Sequence, residues 1–220
     1  MELLEGIESR RSSRAFESTP IPAETIRRIL KAASISPTYK NTQPWEVVVL
    51  TGKKKEELSK ILLDLAKSGA TPNSDIAHPQ SLPPDLDKRS REHGMRRLVA
   101  LGIEREDKES RLAFDLTNYD FYGAPCGLLL FMNGTSSGWS IFDMGIFAQS
   151  IILAAHSFGI GGCIQAMVAN YPDAVREFLG LSGAKQLVGG IALGYPDPKA
   201  GINAYKALKA DIDDFVHWYT

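Results

Sequence analysis

Arginine and serine are concentrated near the N-terminus, in the five-residue run from Arg10 to Arg14. Arg10, Arg11 and Arg14 surround two serines there, Ser12 and Ser13. A guanidinium group can bind two phosphate oxygens at once, and a serine hydroxyl adds a directional hydrogen bond. The run therefore has the donors that a phosphate monoester needs. An ordinary solvated basic turn is the alternative interpretation.

A second polar segment, residues 36–45, lies between a predicted helix and a predicted strand. It is dense in amide and hydroxyl groups and ends in Trp45. Such groups can bind the edge of a polar heterocycle against an aromatic wall. A polar turn beside a core tryptophan is the alternative.

A glycine-rich run, Gly159-Ile160-Gly161-Gly162, follows a predicted helix. A dinucleotide-binding fingerprint follows a strand and opens a helix, so the run does not match that motif. We expect the glycines to let the backbone turn and approach a ligand closely. The peptide groups of Ile164, Gln165 and Ala166 would then be available for contacts.

Motifs for other chemistries are missing from the sequence. The four histidines have no metal-ligand spacing, and neither a Gly-x-Ser-x-Gly elbow nor a Walker phosphate loop occurs. His156, in an apolar helical pattern, is interpreted as a core residue. We therefore expect no metal site, and we expect a bound cofactor to carry any chemistry.

The composition is that of a globular protein, with 220 residues, 44% hydrophobic and 23% charged. A net charge of -1 gives no general attraction to nucleic acid or an acidic membrane, so neither is expected as a partner. No signal peptide and no stretch of membrane-spanning length is expected. Cys126 and Cys163 lie in apolar or glycine-rich surroundings, which predicts buried thiols and a cytoplasmic location.

No repeat or linker divides the chain, which predicts a single domain over residues 1–220. Residues 68–86 are predicted to be a surface loop, and residues 68–122 a variable lid or substrate segment. Helices and strands do not alternate regularly, which favours an α+β fold. Helices are predicted over 2–11, from Pro22 to Ser36, over 53–67, within 87–111, and over 139–158 and 172–179. Strands are predicted over 46–50, 127–132 and 187–193.

Several of these segments, in this order, resemble the nitroreductase family of flavoproteins. They are Arg-Arg-Ser-Ser-Arg, Ser-Pro-x-x-x-Asn-Thr-Gln-Pro-Trp, and the long helix that ends in residues 158–163. Residues 192–197 and 203–214 extend the resemblance over nearly the whole chain. It implies an α+β fold with an antiparallel sheet flanked by helices. It also implies an intertwined homodimer with an FMN site at each subunit interface.

The resemblance also implies roles for individual residues. Those expected to hold the FMN phosphate and ribityl chain are Arg10, Arg11, Ser12, Arg14, Lys206 and Lys209. Family members commonly have arginine at the position of Lys209, and lysine keeps the charge but loses the forked geometry. Residues expected to reach the flavin from the partner subunit are Pro37, Thr38, Tyr39, Asn41 and Gln43. Ile164, Gln165 and Ala166 would border the isoalloxazine, and one backbone N–H would bind its N5 atom.

The activity implied by the resemblance is ping-pong hydride transfer. NADH or NADPH would reduce the flavin and leave, and a small aromatic acceptor such as a nitroaromatic or quinone would then be reduced in the same place. No acid–base side chain is needed for this. One alternative is a reductive dehalogenase-like flavoprotein, although Glu92, Tyr119 and Tyr122 do not convincingly match its substrate clamp. Another is a non-catalytic flavin-binding or sensor protein.

Overall fold

The structure is a computed structural model that describes residues 2–134 and 137–220. The described strands are β1 (Glu46–Thr51), β2 (Cys126–Asn133), β3 (Gly161–Gln165) and β4 (Lys185–Gly194). The α-helices are α1 (Leu3–Ser9), α2 (Ala23–Ala33), α3 (Gly52–Lys67), α4 (Pro84–Leu101), α5 (Lys108–Leu116), α6 (Gly138–Ser157), α7 (Pro172–Leu179) and α8 (Gly201–Ala204). Short 3-10 helices cover Tyr39–Asn41, Thr117–Gly123, Met167–Ala169 and Ile212–Asp214.

The strands form one antiparallel sheet in the order β1-β2-β4-β3. Seven of the eight residues of the central strand β2 are buried, because helices cover both faces of the sheet. Leu128 and Leu130 belong to a core cluster with residues of α2 and α6. Leu129 and Phe131 belong to a second cluster with residues of α3 and α7. The predicted α+β fold with an antiparallel sheet flanked by helices is confirmed.

Strand β3 was not predicted from the sequence, because two of its five residues are glycines. Glycine has a low intrinsic preference for strands, and the run was interpreted as a turn. The strand forms because β4 pairs with it along its whole length, from Gly161 opposite Gly194 to Gln165 opposite Gly190. It is one of the two edge strands of the sheet, at the end opposite β1.

Helix α6 agrees with the predicted long apolar helix, but it is not buried on all sides. Phe147 and Ile151 pack in the core, whereas Trp139 and Phe142 are 59% and 61% exposed. By length and composition alone α6 is apolar enough to cross a membrane, a property that the core helices of globular proteins can share. Only 39% of its most apolar stretch is buried inside the structure. One apolar face near its N-terminus is therefore uncovered.

The loop predicted over residues 68–86 is anchored to the body of the protein and ends where α4 begins. Asp75 accepts hydrogen bonds from Nη1 of Arg176 (2.6 Å) and from the backbone N–H of Leu187 (2.7 Å). The N–H of Asn73 donates to the carbonyl of Asn170 (2.9 Å). The following helices α4 and α5 contain no fully buried residue. They lie over the surface as an exposed cover.

We expect Asp75→Ala to lower the free energy of unfolding by about 3–5 kcal/mol, because it leaves the Arg176 charge buried without its main partner. The side chains of Arg176 and Asp75 are only 10% and 16% exposed. The matched control is Asp64→Ala, which removes the Lys60–Asp64 pair, whose side chains are 77% and 61% exposed. That change should cost less than about 1 kcal/mol. Urea denaturation measures both, and equal losses would contradict the anchoring role of Asp75.

Candidate cofactor site

The basic run is extended and docks on the outer edge of β3. Ser12 forms a parallel bridge with Gly162, and the N–H of Ser13 donates to the Gly162 carbonyl (3.1 Å). A Cβ atom at Gly161 would lie 2.5 Å from Cγ of Pro196 and would also collide with the Ser13 hydroxyl. Only glycine permits this close approach. The glycine run thus holds the basic run in place, a role that sequence reasoning did not assign to it.

The buried side chain of Asn203 fixes the backbone of the basic run. Its Oδ1 accepts from the N–H of Arg14 (2.8 Å), and its Nδ2 donates to the carbonyls of Ala15 (2.7 Å) and Asp197 (3.0 Å). Its own carbonyl accepts a longer bond from Nη1 of Arg11 (3.4 Å). Sequence reasoning missed this positioning role. The only available signal was the place of Asn203 at the start of the tail segment 203–214.

The basic run and the C-terminal tail line one cavity of about 560 Å³, which we call the basic cavity. The predicted residues that the structure brings together here are Arg10, Arg11, Ser12, Arg14, Lys206 and Lys209. His93 of α4 and Tyr205 also line the basic cavity, and neither was predicted. Nδ1 of His93 lies 2.9 Å from the Tyr205 hydroxyl. Residues from both ends of the chain and from the cover therefore meet at one place.

The electrostatics of the basic cavity favour an anion. Burial, together with the nearby charges of Arg14, Arg97 and Lys209, lowers the pKa of His93 below its ordinary value. His93 is therefore neutral at pH 7. In the part of the chain that the structure describes, Nε of Arg14 is buried and has no hydrogen-bond partner. A buried guanidinium N–H without an acceptor is costly, and a phosphate oxygen or a sugar hydroxyl would satisfy it.

Beyond Ser12, the outer edge of β3 continues to Ile164, Gln165 and Ala166. Alternate residues of a strand direct their peptide groups to opposite edges, and Gly162 directs its carbonyl outwards to Ser13. The peptide group of Ile164 therefore faces the same outer edge. Ile164 is 50% exposed, whereas Gln165 is 2% exposed and donates from Nε2 to the carbonyl of Asn118 (2.9 Å). The Gln165 side chain thus points inwards.

Tyr122 and Cys163 adjoin this site, but neither is activated. Phe121 and Tyr122 both adopt left-handed backbone conformations (φ 52° and 55°), an unusual pair for bulky residues. Burial raises the pKa of Tyr122 to about 12, and its hydroxyl donates to Oδ1 of Asn118 (2.7 Å). Burial also raises the pKa of the Cys163 thiol. Both groups therefore stay protonated at neutral pH.

The polar segment 36–45 lies elsewhere, against the N-terminal half of α6. The N–H of Tyr39 donates to the Asp143 carboxylate (3.1 and 3.2 Å), and its ring stacks on Trp139 with 5.9 Å between centroids. Among the residues that the structure describes, no hydrogen bond or ion pair joins this segment to the basic cavity. Within one chain, the predicted residues of this segment do not line the basic cavity. They are Pro37, Thr38, Tyr39, Asn41 and Gln43.

Comparison with known proteins assigns this chain to a family. The family model described as the nitroreductase family matches residues 7–195. The chain belongs to the nitroreductase family. Among similar nitroreductases, a 4-nitrobenzoate reductase of Pseudomonas putida is 34% identical, over 96% of this chain and 93% of its own length. The nitroreductase NfnB of Mycolicibacterium smegmatis is also 34% identical, over 94% of this chain and 88% of its own length.

Solved structures of nitroreductases resemble the whole chain. The FMN-dependent nitroreductase NfnB from Mycobacterium smegmatis, in complex with NADPH, superposes with a TM-score of 0.94 at 31% identity. The match covers 99% of this chain and 97% of that one. The FMN and NADPH-dependent nitroreductase NfnB from Sphigopyxis sp. strain HMH superposes with a TM-score of 0.97 at 29% identity, over 100% of both chains.

We expect Arg14→Ala to weaken retention of the FMN that the sequence predicts by about 10- to 100-fold, because it removes a charged donor from the basic cavity. The measurement is the flavin-to-protein absorbance ratio after dialysis, with circular dichroism as the check on folding. Arg14→Lys should give an intermediate loss, since lysine keeps the charge but not the fork. Unchanged flavin content in Arg14→Ala would remove Arg14 from the site.

Proposed function

We propose that this nitroreductase-family chain is an FMN-dependent oxidoreductase that uses NADH or NADPH to reduce nitroaromatic or quinone-like acceptors by a ping-pong mechanism. The observation that carries the proposal is the basic cavity, with its buried, unpaired Arg14 Nε, beside the open edge of β3. Relatives named for FMN, NADPH and 4-nitrobenzoate support the same activity.

The residues of the basic cavity fit the phosphate of FMN. The set that would hold the phosphate and ribityl chain is Arg10, Arg11, Ser12, Arg14, Lys206 and Lys209. The isoalloxazine would lie along the outer edge of β3, bordered by Ile164, Gln165 and Ala166, where a backbone N–H can bind N5. FMN supplies the hydride and electron transfer when bound. The protein binds and orients the reactants and keeps water away from them.

We further propose that each site is completed by a second copy of the chain, in a homodimer. Segment 37–43 is separated from the basic cavity within one chain and lies beside the uncovered face of α6, which includes Trp139 and Phe142. In the tail, Trp218 and Tyr219 are 79% and 95% exposed. Exposed aromatic side chains at two separate places are typical of surfaces that are buried on assembly.

We infer that the chain is one FMN-binding domain, in which α4 and α5 form the variable part of segment 68–122. The part of the segment that is anchored through residues 70–78 would then be a fixed wall rather than a moving lid. Two free, buried cysteines, Cys126 and Cys163, support a location in the reducing cytoplasm. Neither nucleic acid nor a membrane is proposed as a partner, and the small acceptor is aromatic.

The dehalogenase-like alternative receives less support from the geometry than the reductase. Tyr119 and Tyr122 are 4% and 8% exposed, and their hydroxyls bind Asn170 and Asn118 respectively. Glu92 is exposed on α4. These three side chains do not converge on a place where an amino-acid substrate could be held.

The activity is tested by anaerobic stopped-flow absorbance with the FMN-loaded protein. Addition of NADPH or NADH should bleach the flavin within turnover time, and a nitroaromatic or quinone should then restore the yellow oxidised form. Halophenols serve as the comparison set for the dehalogenase alternative. Flavin that stays yellow with both dinucleotides would reject the reductase and favour a flavin-binding sensor.

The shared site is tested by complementation between two defective subunits. Arg14→Ala and Asn41→Gly should each reduce FMN content when present in both subunits. Glycine is chosen because Asn41 has a left-handed backbone (φ 58°), which alanine would strain. A purified heterodimer of the two variants should regain one intact site of two. No recovery in the heterodimer would mean that Arg14 and Asn41 serve the same chain or different functions.

A further inference from the structure

Helix α4 contributes residues to several neighbouring cavities, among them the basic cavity. His93 lines the basic cavity, and the charge of Arg97, one turn later, contributes to the electrostatics of His93 and Cys163. Arg96 instead lines a second cavity, of about 570 Å³, together with Arg105 and residues of α5. We call this the arginine cavity. The two cavities are therefore separated by a single helix.

The arginine cavity is strongly positive in a chain whose net charge is only -1. Its ionisable lining consists of five arginines and two carboxylates, a local net charge of +3. These residues are Arg91, Arg96, Arg97, Arg105 and Arg111, with Glu92 and Asp115. Such a concentration of one sign raises the local potential and attracts anions.

Two of the five arginines have carboxylate partners, because Arg91 pairs with Asp87 (2.6 Å) and Arg97 with Asp115 (3.8 Å). Arg111 donates from Nη1 to the backbone carbonyl of Arg105 (2.9 Å). Within residues 2–134 and 137–220, no carboxylate pairs with the other three. These are Arg96, Arg105 and Arg111. Three guanidinium groups near one another without counter-charges repel, and an anion bound between them would relieve that repulsion.

The position and the charge of the arginine cavity indicate which kind of anion it would bind. A phosphate monoester carries between one and a half and two negative charges at neutral pH, and arginine forks bind its oxygens bidentately. NADPH differs from NADH only in such a group, on its adenosine ribose, at the end of the molecule remote from the nicotinamide. A dinucleotide whose nicotinamide reaches the flavin would extend its adenosine end out of that site and over one of its walls. Helix α4 forms part of the wall of the basic cavity through His93.

We propose that the arginine cavity binds the 2′-phosphate of NADPH and so makes NADPH the preferred electron donor. The inference rests on the proposed function, because it assumes that a nicotinamide dinucleotide reduces the bound flavin. Arg96 and Arg105 are the residues that bind the 2′-phosphate. Arg97 stands between the two cavities, and its Nε is buried without a hydrogen-bond partner among the described residues.

The first test measures binding without turnover. Isothermal titration calorimetry on the FMN-loaded, oxidised protein compares adenosine 2′,5′-bisphosphate with adenosine 5′-monophosphate. The bisphosphate should bind at least about tenfold more tightly, and Arg96→Gln/Arg105→Gln should abolish that difference. The control is Lys53→Gln/Lys60→Gln, which removes the same charge from the exposed face of α3 and should leave the difference intact. Equal binding of the two nucleotides by the wild-type protein would overturn the proposal.

The second test measures donor preference. The ratio of kcat/KM for NADPH to that for NADH should fall about tenfold in Arg96→Gln/Arg105→Gln and stay constant in the lysine control. An unchanged ratio, with a selective loss of activity on 4-nitrobenzoate relative to 4-nitrobenzamide, would assign the cavity to a carboxylate of the acceptor and reject the proposal. If neither dinucleotide bleaches the flavin, the proposed function fails. The calorimetric comparison still decides whether a 2′-phosphate is bound.

Discussion

Close contact between the basic run and the edge of β3 is the constraint on which the site depends. Ser12 and Ser13 can lie against the strand only because residue 161 has no side chain, since a Cβ atom there would collide with Ser13. This contact places Arg14 beside the tail, where Asn203 binds its backbone N–H. Charged side chains are long and flexible, so a rigid backbone is needed to keep several of them around one anion. The glycines therefore act by positioning the arginines.

Positive charge is concentrated at two places, on either side of α4. At each place the charge is unfavourable unless an anion is bound. The basic cavity keeps Arg14 partly buried without a full set of acceptors, and the arginine cavity keeps Arg96 and Arg105 without carboxylate partners. Positive charge is thus concentrated locally in a protein whose net charge is only -1. The same helix contributes His93, which stays neutral because of burial and its cationic neighbours and adds no further repulsion.

Helices α4 and α5 follow a loop that is anchored to the body of the protein. Residues 68–83 have no regular structure, yet Asp75 holds the middle of this segment against α7 through Arg176 and against β4 through the N–H of Leu187. Helices α4 and α5, which follow, bury no residue completely. Local stability depends on buried contacts, and this pair of helices has few of them. Both cavities open beside it.

The sequence by itself determined the fold class, most helices and strands, and the two groups of polar residues, because hydrophobic periodicity and clustered donors are local properties. Only the tertiary structure decided which residues from distant parts of the chain are neighbours in space. Strand β3 was missed because pairing with β4 overrides its weak local preference. His93 and Asn203 were missed because their roles depend on neighbours about 80 and 190 residues away in the chain, as their contacts show. Such long-range contacts are set by packing of the whole chain, and no spacing within a short motif encodes them.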